Sequence, residues 1–203
     1  MYNHFGPLHW WPGETPFEIM VGAILTQNTS WVNVERAIEN LKKEGLLDPY
    51  KMFELPDERM KELIKPSGFF NVKTKRLKAF LEFFIREYNG DVEEMKKEDL
   101  STLRKKLLSV NGIGKETADS ILLYALDKPI FVVDAYTRRI FSRHGFVPQD
   151  IEYDDLQRFF MKNLPQDVSL YNEYHAQIVL TGKNYCRKTP LCEKCPLKEE
   201  SSS

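Results

Sequence analysis

The chain has 203 residues, 42% hydrophobic and 29% charged, with a formal net charge of −1 and a sequence pI of about 6.5. That is room for one large domain or two small interlocked ones. No stretch reaches the ~18 apolar residues of a membrane span, and the opening MYNHFGPLHWW lacks the charged-then-apolar pattern of a signal peptide. A cytoplasmic protein with no membrane attachment is therefore expected. The near-neutral total excludes a uniformly basic surface, so any nucleic-acid contact must gather its positive charge locally.

Taken in chain order, the pattern is helical nearly throughout. Phe17, Met20, Val21, Ile24 and Leu25 recur at helical spacing, as do Leu77, Phe80, Leu81 and Phe84, and later Leu156, Phe159, Phe160 and Leu164. Glycine and proline punctuate these stretches at Pro66-Ser67-Gly68, Asn89-Gly90 and Asn111-Gly112. One short strand-like run, Ile130 to Val133, leads straight into Asp134. There is no internal repeat and no low-complexity linker. The stripes describe an all-α core and by themselves say nothing about function.

Leu107 to Leu126 reads as helix, tight turn, helix, with the turn at Val110-Asn111-Gly112-Ile113-Gly114. Gly112 and Gly114 allow a sharp bend and close approach to a flat surface. The next helix starts near Lys115, where exposed amides form an anion site suited to a phosphate. Such a contact holds a nucleic acid by its backbone and reads no sequence. A Gly-x-Gly corner alone is better read as a plain helical hairpin. Asp134, after an apolar run, suits a partly desolvated carboxylate at a helix start, or an ordinary N-cap.

Of the three tryptophans, Trp10 and Trp11 sit before Pro12 outside any clear helical stripe and Trp31 closes the loop segment QNTSW, as stacking surfaces or as covers for the core. All three cysteines, Cys186, Cys192 and Cys195, fall within ten residues of one another, which in an intracellular protein points to metal rather than disulfides.

Together these segments resemble the helix-hairpin-helix DNA glycosylases of the endonuclease III family, over about residues 17–200. Gly112, Gly114, Thr117-Ala118 and Val133-Asp134 stand in the family's order and spacing. ILTQNT (24–29) is similar to the loop that fills the gap left by an extruded base, and GFFNVK (68–73) to the wedge loop. HAQIVLTGKNYC (175–186) is similar to the helix leading to the iron–sulfur loop.

The resemblance implies roles. Asp134 is the expected catalytic carboxylate. Gln27 would enter the vacated space and Phe69 would wedge into the stack, although the residues alone also allow a loop hydrogen bond and a core position. Gly112, Gly114, Lys115 and Thr117 are the expected DNA-binding hairpin. Lys73, Lys75, Arg76, Lys78, Arg138, Arg139 and Arg143 are candidate phosphate contacts, or solvated charges.

Family members that also cut the strand carry a lysine where this chain has Glu116, and a carboxylate cannot form their Schiff base. Glu116 is thus expected to orient substrate or water, unless it is merely a solvated helix residue. With Trp10, Trp11 and Trp31 as a base pocket, the pattern is most similar to the family's 3-methyladenine glycosylases, whose cationic bases stack well on aromatic faces. The cysteines resemble the family's four-cysteine loop, with Ser201 at the fourth position. A 4Fe-4S cluster on Cys186, Cys192, Cys195 and Ser201 is expected, with a three-cysteine or empty loop left open.

The expected protein is all-α, with two interlocked domains: a helical barrel over 20–127, and a second domain of 1–19 plus 128–203. Double-stranded DNA containing a damaged base is the expected partner of a monomer. A monofunctional alkylpurine glycosylase is the first reading. The same fold acting on another base, with or without lyase activity, and a non-catalytic DNA-binding module are the others.

Overall fold

The computed structural model describes residues 1–10 and 13–198. Every regular element among them is helical. In chain order these are α1 (Tyr2–Phe5), α2 (Pro16–Leu25), α3 (Trp31–Lys43), α4 (Pro49–Glu54), α5 (Asp57–Ile64), α6 (Phe70–Tyr88), α7 (Val92–Lys97), α8 (Leu100–Ser109) and α9 (Lys115–Ser120). A π-helical segment, Ile121–Ala125, prolongs α9, and α10 (Ala135–Arg143), α11 (Tyr153–Asn163) and α12 (Val168–Asn184) follow. None of these helices is long and apolar enough to cross a membrane. The chain divides into two compact units, Trp11–Lys128, and Met1–Trp10 with Pro129–Ser203.

In the Trp11–Lys128 unit, the apolar stripes read from the sequence face inward. Met20, Val21, Ile24 and Leu25 of α2 and Leu77, Phe80, Leu81 and Phe84 of α6 are all buried, and Phe17 and Phe80 each lie nearly parallel to Phe84. Helix starts are capped locally: Thr15 accepts from Glu18 N–H, and Asp99 from Thr102 N–H. The hairpin pair α8 and α9 is clamped by Arg104, whose guanidinium donates to both carboxylate oxygens of buried Asp119 at 2.7 and 3.0 Å. A bidentate ion pair of this kind fixes orientation as well as distance.

In the other unit, the strand-like run Ile130–Val133 is buried but pairs with no strand. The run lies outside any helix, and two of its backbone polar groups find side chains of α11. Gln157 donates to Phe131 O at 2.7 Å, which satisfies a carbonyl that would otherwise be orphaned. The Phe131 ring stacks on Phe160 of α11 at 4.1 Å and meets Tyr171 of α12 edge-on. This anchor delivers residue 134 to the start of α10.

Helices α10 and α12 press together at a glycine. A β-carbon on Gly182 would fall within 2.8 Å of Tyr136 Cβ, so only glycine admits that ring.

Candidate active site

Asp134 caps α10. Its Oδ1 accepts the backbone N–H and the hydroxyl of Thr137, at 2.7 and 2.8 Å, in a reciprocal capping box. Its other oxygen, Oδ2, lies 3.6 Å from Nε2 of His175 on α12. The two side chains are only 12% and 7% exposed. Burial alone would raise the Asp134 carboxyl, but the His175 imidazole and the Thr137 bonds outweigh it and hold the group below the usual carboxylate range. The result is an ionised carboxylate in a largely water-free place, able to stabilise a nearby developing cation.

Trp10 stands beside this centre, half-buried, with its ring 6.5 Å from the His175 imidazole and tilted by 50°. The preceding backbone is fixed by Glu173, whose carboxylate accepts from Leu8 and His9 N–H. Trp11 lies outside the described residues.

The second group of expected residues lies in the Trp11–Lys128 unit. Gly112 adopts φ +86° and Gly114 an extended φ of −89°, after which α9 begins at Lys115. Ile113 is buried beneath the turn. Gln27 reaches the same turn: its amide nitrogen donates to Gly112 O at 3.1 Å and to Thr117 Oγ1 at 2.9 Å. Arg76 donates to its oxygen. Thr117 is buried and bonded to Gln27, so its hydroxyl faces the protein interior. Lys115 and Glu116 are exposed in the first turn of α9.

Phe69 is 67% exposed, so it is not a core residue, and it holds a left-handed φ of +46°. Gly68 before it is also left-handed. A large apolar ring held out into solvent on an uncommon backbone suits a functional projection. Trp31 opens α3 and lies against α2, where a β-carbon on Gly22 would come within 3.1 Å of its ring.

Several expected phosphate contacts prove to be internal. Lys73 is buried, and its ammonium donates to Leu25 O at 2.8 Å and Ser67 O at 2.6 Å. It thereby ties the 24–29 loop to the turn before Phe69. Lys78 donates to the carbonyls of Met52, Phe53 and Leu55. Arg139 donates to Cys186 O at 2.7 Å and Gly182 O at 3.1 Å. Arg143 donates to Cys186 Sγ at 3.3 Å and Arg187 O at 2.6 Å. Charge in the sequence does not reveal this, because a long cation can serve a buried carbonyl as well as a phosphate. Lys75, Lys115 and Arg138 remain on the surface.

Among the described residues the cysteines do not stand together as a ligand set. Cys186 and Cys195 are buried and Cys192 is exposed. Among the described residues no group of three or more His, Cys, Asp or Glu side chains is placed to hold an ion. Ser201 lies outside the described residues. The described donors thus do not fit a four-iron cluster, which wants four convergent ligands. Two arginines of α10 fasten the start of the loop instead.

Sequence reasoning passed over His175, Asp119 and the internal role of Arg76. The histidine stood inside a recognised segment, yet only the docking of α12 beside α10 gives it a carboxylate to face.

Known proteins are similar to this chain in sequence and fold. A family model for HhH-GPD superfamily base excision DNA repair proteins matches residues 21–166. A Methanocaldococcus jannaschii protein whose name provisionally makes it a DNA repair glycosylase is 55% identical, over 98% of this chain and 91% of its own. Endonuclease III of Thermotoga maritima is 29% identical over 90% of this chain and 81% of its own. Among solved structures, the Helicobacter pylori 3-methyladenine DNA glycosylase bound to 1,N6-ethenoadenine superposes with a TM-score of 0.77. It is 32% identical, covering 89% of this chain and 90% of its own. A trapped endonuclease III–DNA covalent intermediate shares the fold, with a TM-score of 0.84 at 23% identity, over 98% of this chain and 89% of its own.

Proposed function

The chain belongs to the HhH-GPD superfamily of base excision DNA repair proteins, and from that footing we propose that it is a monofunctional DNA glycosylase that removes N-alkylated purines such as 3-methyladenine. The observation that carries the monofunctional part is Glu116, an exposed carboxylate in the first turn of α9, where strand-cutting members of the resembled family have an amine. The alkylpurine part is supported by Trp10 and Trp31 and by the 32% identity to the H. pylori 3-methyladenine enzyme. Aromatic faces favour a cationic, electron-poor base.

In this chemistry the damaged base leaves the helix stack before its bond to the sugar is cut. Phe69 acts as wedge and Gln27 as filler, and the hairpin amides from Gly112 to Lys115 hold the backbone phosphate. The bond from C1′ to the base nitrogen breaks and its electrons leave with the base, which departs neutral because it was cationic. The sugar passes through an oxocarbenium-like state that the Asp134 carboxylate stabilises. Water then adds to C1′, gives up one proton to solvent and yields an abasic site.

A bifunctional enzyme is the second reading, favoured by the likeness to the T. maritima endonuclease III. Lys115 would have to supply the amine, yet neighbouring helix residues point about 100° apart, so it does not replace a lysine at 116.

The test is to incubate the chain with duplexes carrying 3-methyladenine, uracil, 8-oxoguanine or thymine glycol and to resolve products with and without alkali. Release of 3-methyladenine, with breaks only after alkali, is expected. Breaks without alkali overturn the Glu116 argument, and preference for another duplex overturns the substrate.

A further inference from the structure

The two oxygens of Asp134 are not equivalent. Oδ1 is spent on the capping box with Thr137, whose two bonds at 2.7 and 2.8 Å lock the carboxylate to the start of α10. Both bonds enter at Oδ1, so neither reaches the other oxygen. Oδ2 is governed from elsewhere. It faces Nε2 of His175, 3.6 Å away, on a different helix some forty residues later in the chain.

A histidine placed there only to fill space is a poor choice. Its ring carries two polar nitrogens, and burying them costs free energy unless they are used. Leucine or methionine would fill the same volume without that cost. The His175 side chain is 7% exposed and directs a ring nitrogen at a buried carboxylate. Its ring also lies 6.5 Å from that of Trp10, a proposed wall of the base pocket. His175 therefore neighbours both the proposed reacting carboxylate and Trp10.

We propose that His175 is a positioning residue for the glycosylase reaction: it fixes the orientation of Asp134 through Oδ2 and sets Trp10 against the same centre. This rests on the reading of Asp134 as the catalytic carboxylate. His175 itself makes and breaks no bond to the substrate. Its action is to hold the charge where the sugar cation develops, which costs no reorganisation at the moment of reaction.

The experiment compares His175→Leu, His175→Gln, Asp134→Asn and the His175→Leu/Asp134→Asn double variant. For each full chain, single-turnover release of alkylated purine and the affinity for an undamaged duplex are measured. His175→Leu is expected to slow release about 100-fold, the lower end for loss of one preorganised polar group, with duplex affinity unchanged within about twofold. His175→Gln is expected to recover much of the rate, because its amide can donate to Oδ2. The double variant should be no slower than Asp134→Asn alone, as for residues that act as a unit.

Wild-type release by His175→Leu beside an inactive Asp134→Asn overturns the positioning role and leaves the glycosylase reading standing. Equal slowing by Leu and Gln, accompanied by a lower Tm in both, also overturns it in favour of a packing role. Wild-type release by Asp134→Asn instead sinks the catalytic reading itself.

Discussion

Arg76 lies across Gly112 so closely that a β-carbon at the glycine would fall 2.8 Å from its Cδ and 2.9 Å from its Nε. Gly112 also holds φ +86°, which L side chains rarely adopt, whereas Gly114 is extended and has open space around it. The two glycines of the turn are thus required for different reasons. Gly112→Ala is expected to cost about 1–2 kcal/mol for the left-handed backbone, plus the displacement of Arg76 from Gln27. Gly114→Ala should change stability by less than about 0.5 kcal/mol, yet weaken duplex binding by placing a methyl group where the phosphate approaches. Chemical denaturation alongside duplex titration separates the two, and equal stability losses would contradict this division.

Lys73 makes a pH prediction. Burial, with a smaller contribution from Arg76, pulls its ammonium down to about 8. An unfolded lysine titrates near 10.4. Between these values the unfolded chain holds a proton that the folded chain does not. This contribution to stability therefore rises with pH across that window, and the cost of burying the charge is fully present below it. Lys73→Met removes the effect and leaves the carbonyls of Leu25 and Ser67 without their donor, at about 1–3 kcal/mol each. The stability difference between wild type and Lys73→Met should widen in favour of wild type from pH 7 to pH 10. A flat difference would mean that the lysine stays charged.

Glu116 can be tested by restoring the amine that other members carry. Glu116→Lys places a primary amine in the first turn of α9. If the sugar carbon presents itself there, this amine condenses with it, loses water and gives an imine that borohydride reduces to a stable adduct. A borohydride-trapped protein–DNA adduct is expected from Glu116→Lys and not from wild type. Trapping by wild type would instead point to Lys115 or another native amine.

The start of the C-terminal loop is expected to depend on two arginines. Arg139 and Arg143 together supply bonds to the carbonyls of Gly182, Cys186 and Arg187 and to the Cys186 sulfur. Hydrogen bonds from a charged donor contribute about 1.5–3 kcal/mol each, so Arg139→Ala should lower Tm and speed proteolysis within 187–198. Iron and sulfide analysis of anaerobically purified protein should find less than a stoichiometric cluster. A full complement of iron would show that the cysteines move together on loading.

Much of the fold was legible because it is encoded locally. The periodic stripes at 17–25 and 77–84 mark buried faces, since helical geometry alone decides which side chains share a side. The turn at Gly112 and the helix start at Lys115 follow from glycine chemistry within five residues. The helix start after Asp134 is just as local, because a carboxylate there can cap the amides that follow.

What the sequence could not decide is how polar groups far apart along the chain are paired. Lys73, Arg139 and Arg143 read as surface cations, and tertiary packing turned them onto backbone carbonyls. Ile130–Val133 read as a strand, yet its partners are side chains of α11. The sequence by itself determined an all-helical chain with a glycine hairpin and an aspartate at a helix start. Only the tertiary structure placed His175 opposite Asp134 and Arg76 on Gln27. The physical reason is range: periodicity and capping act within a few residues, whereas a polar contact between distant segments exists only once both have docked.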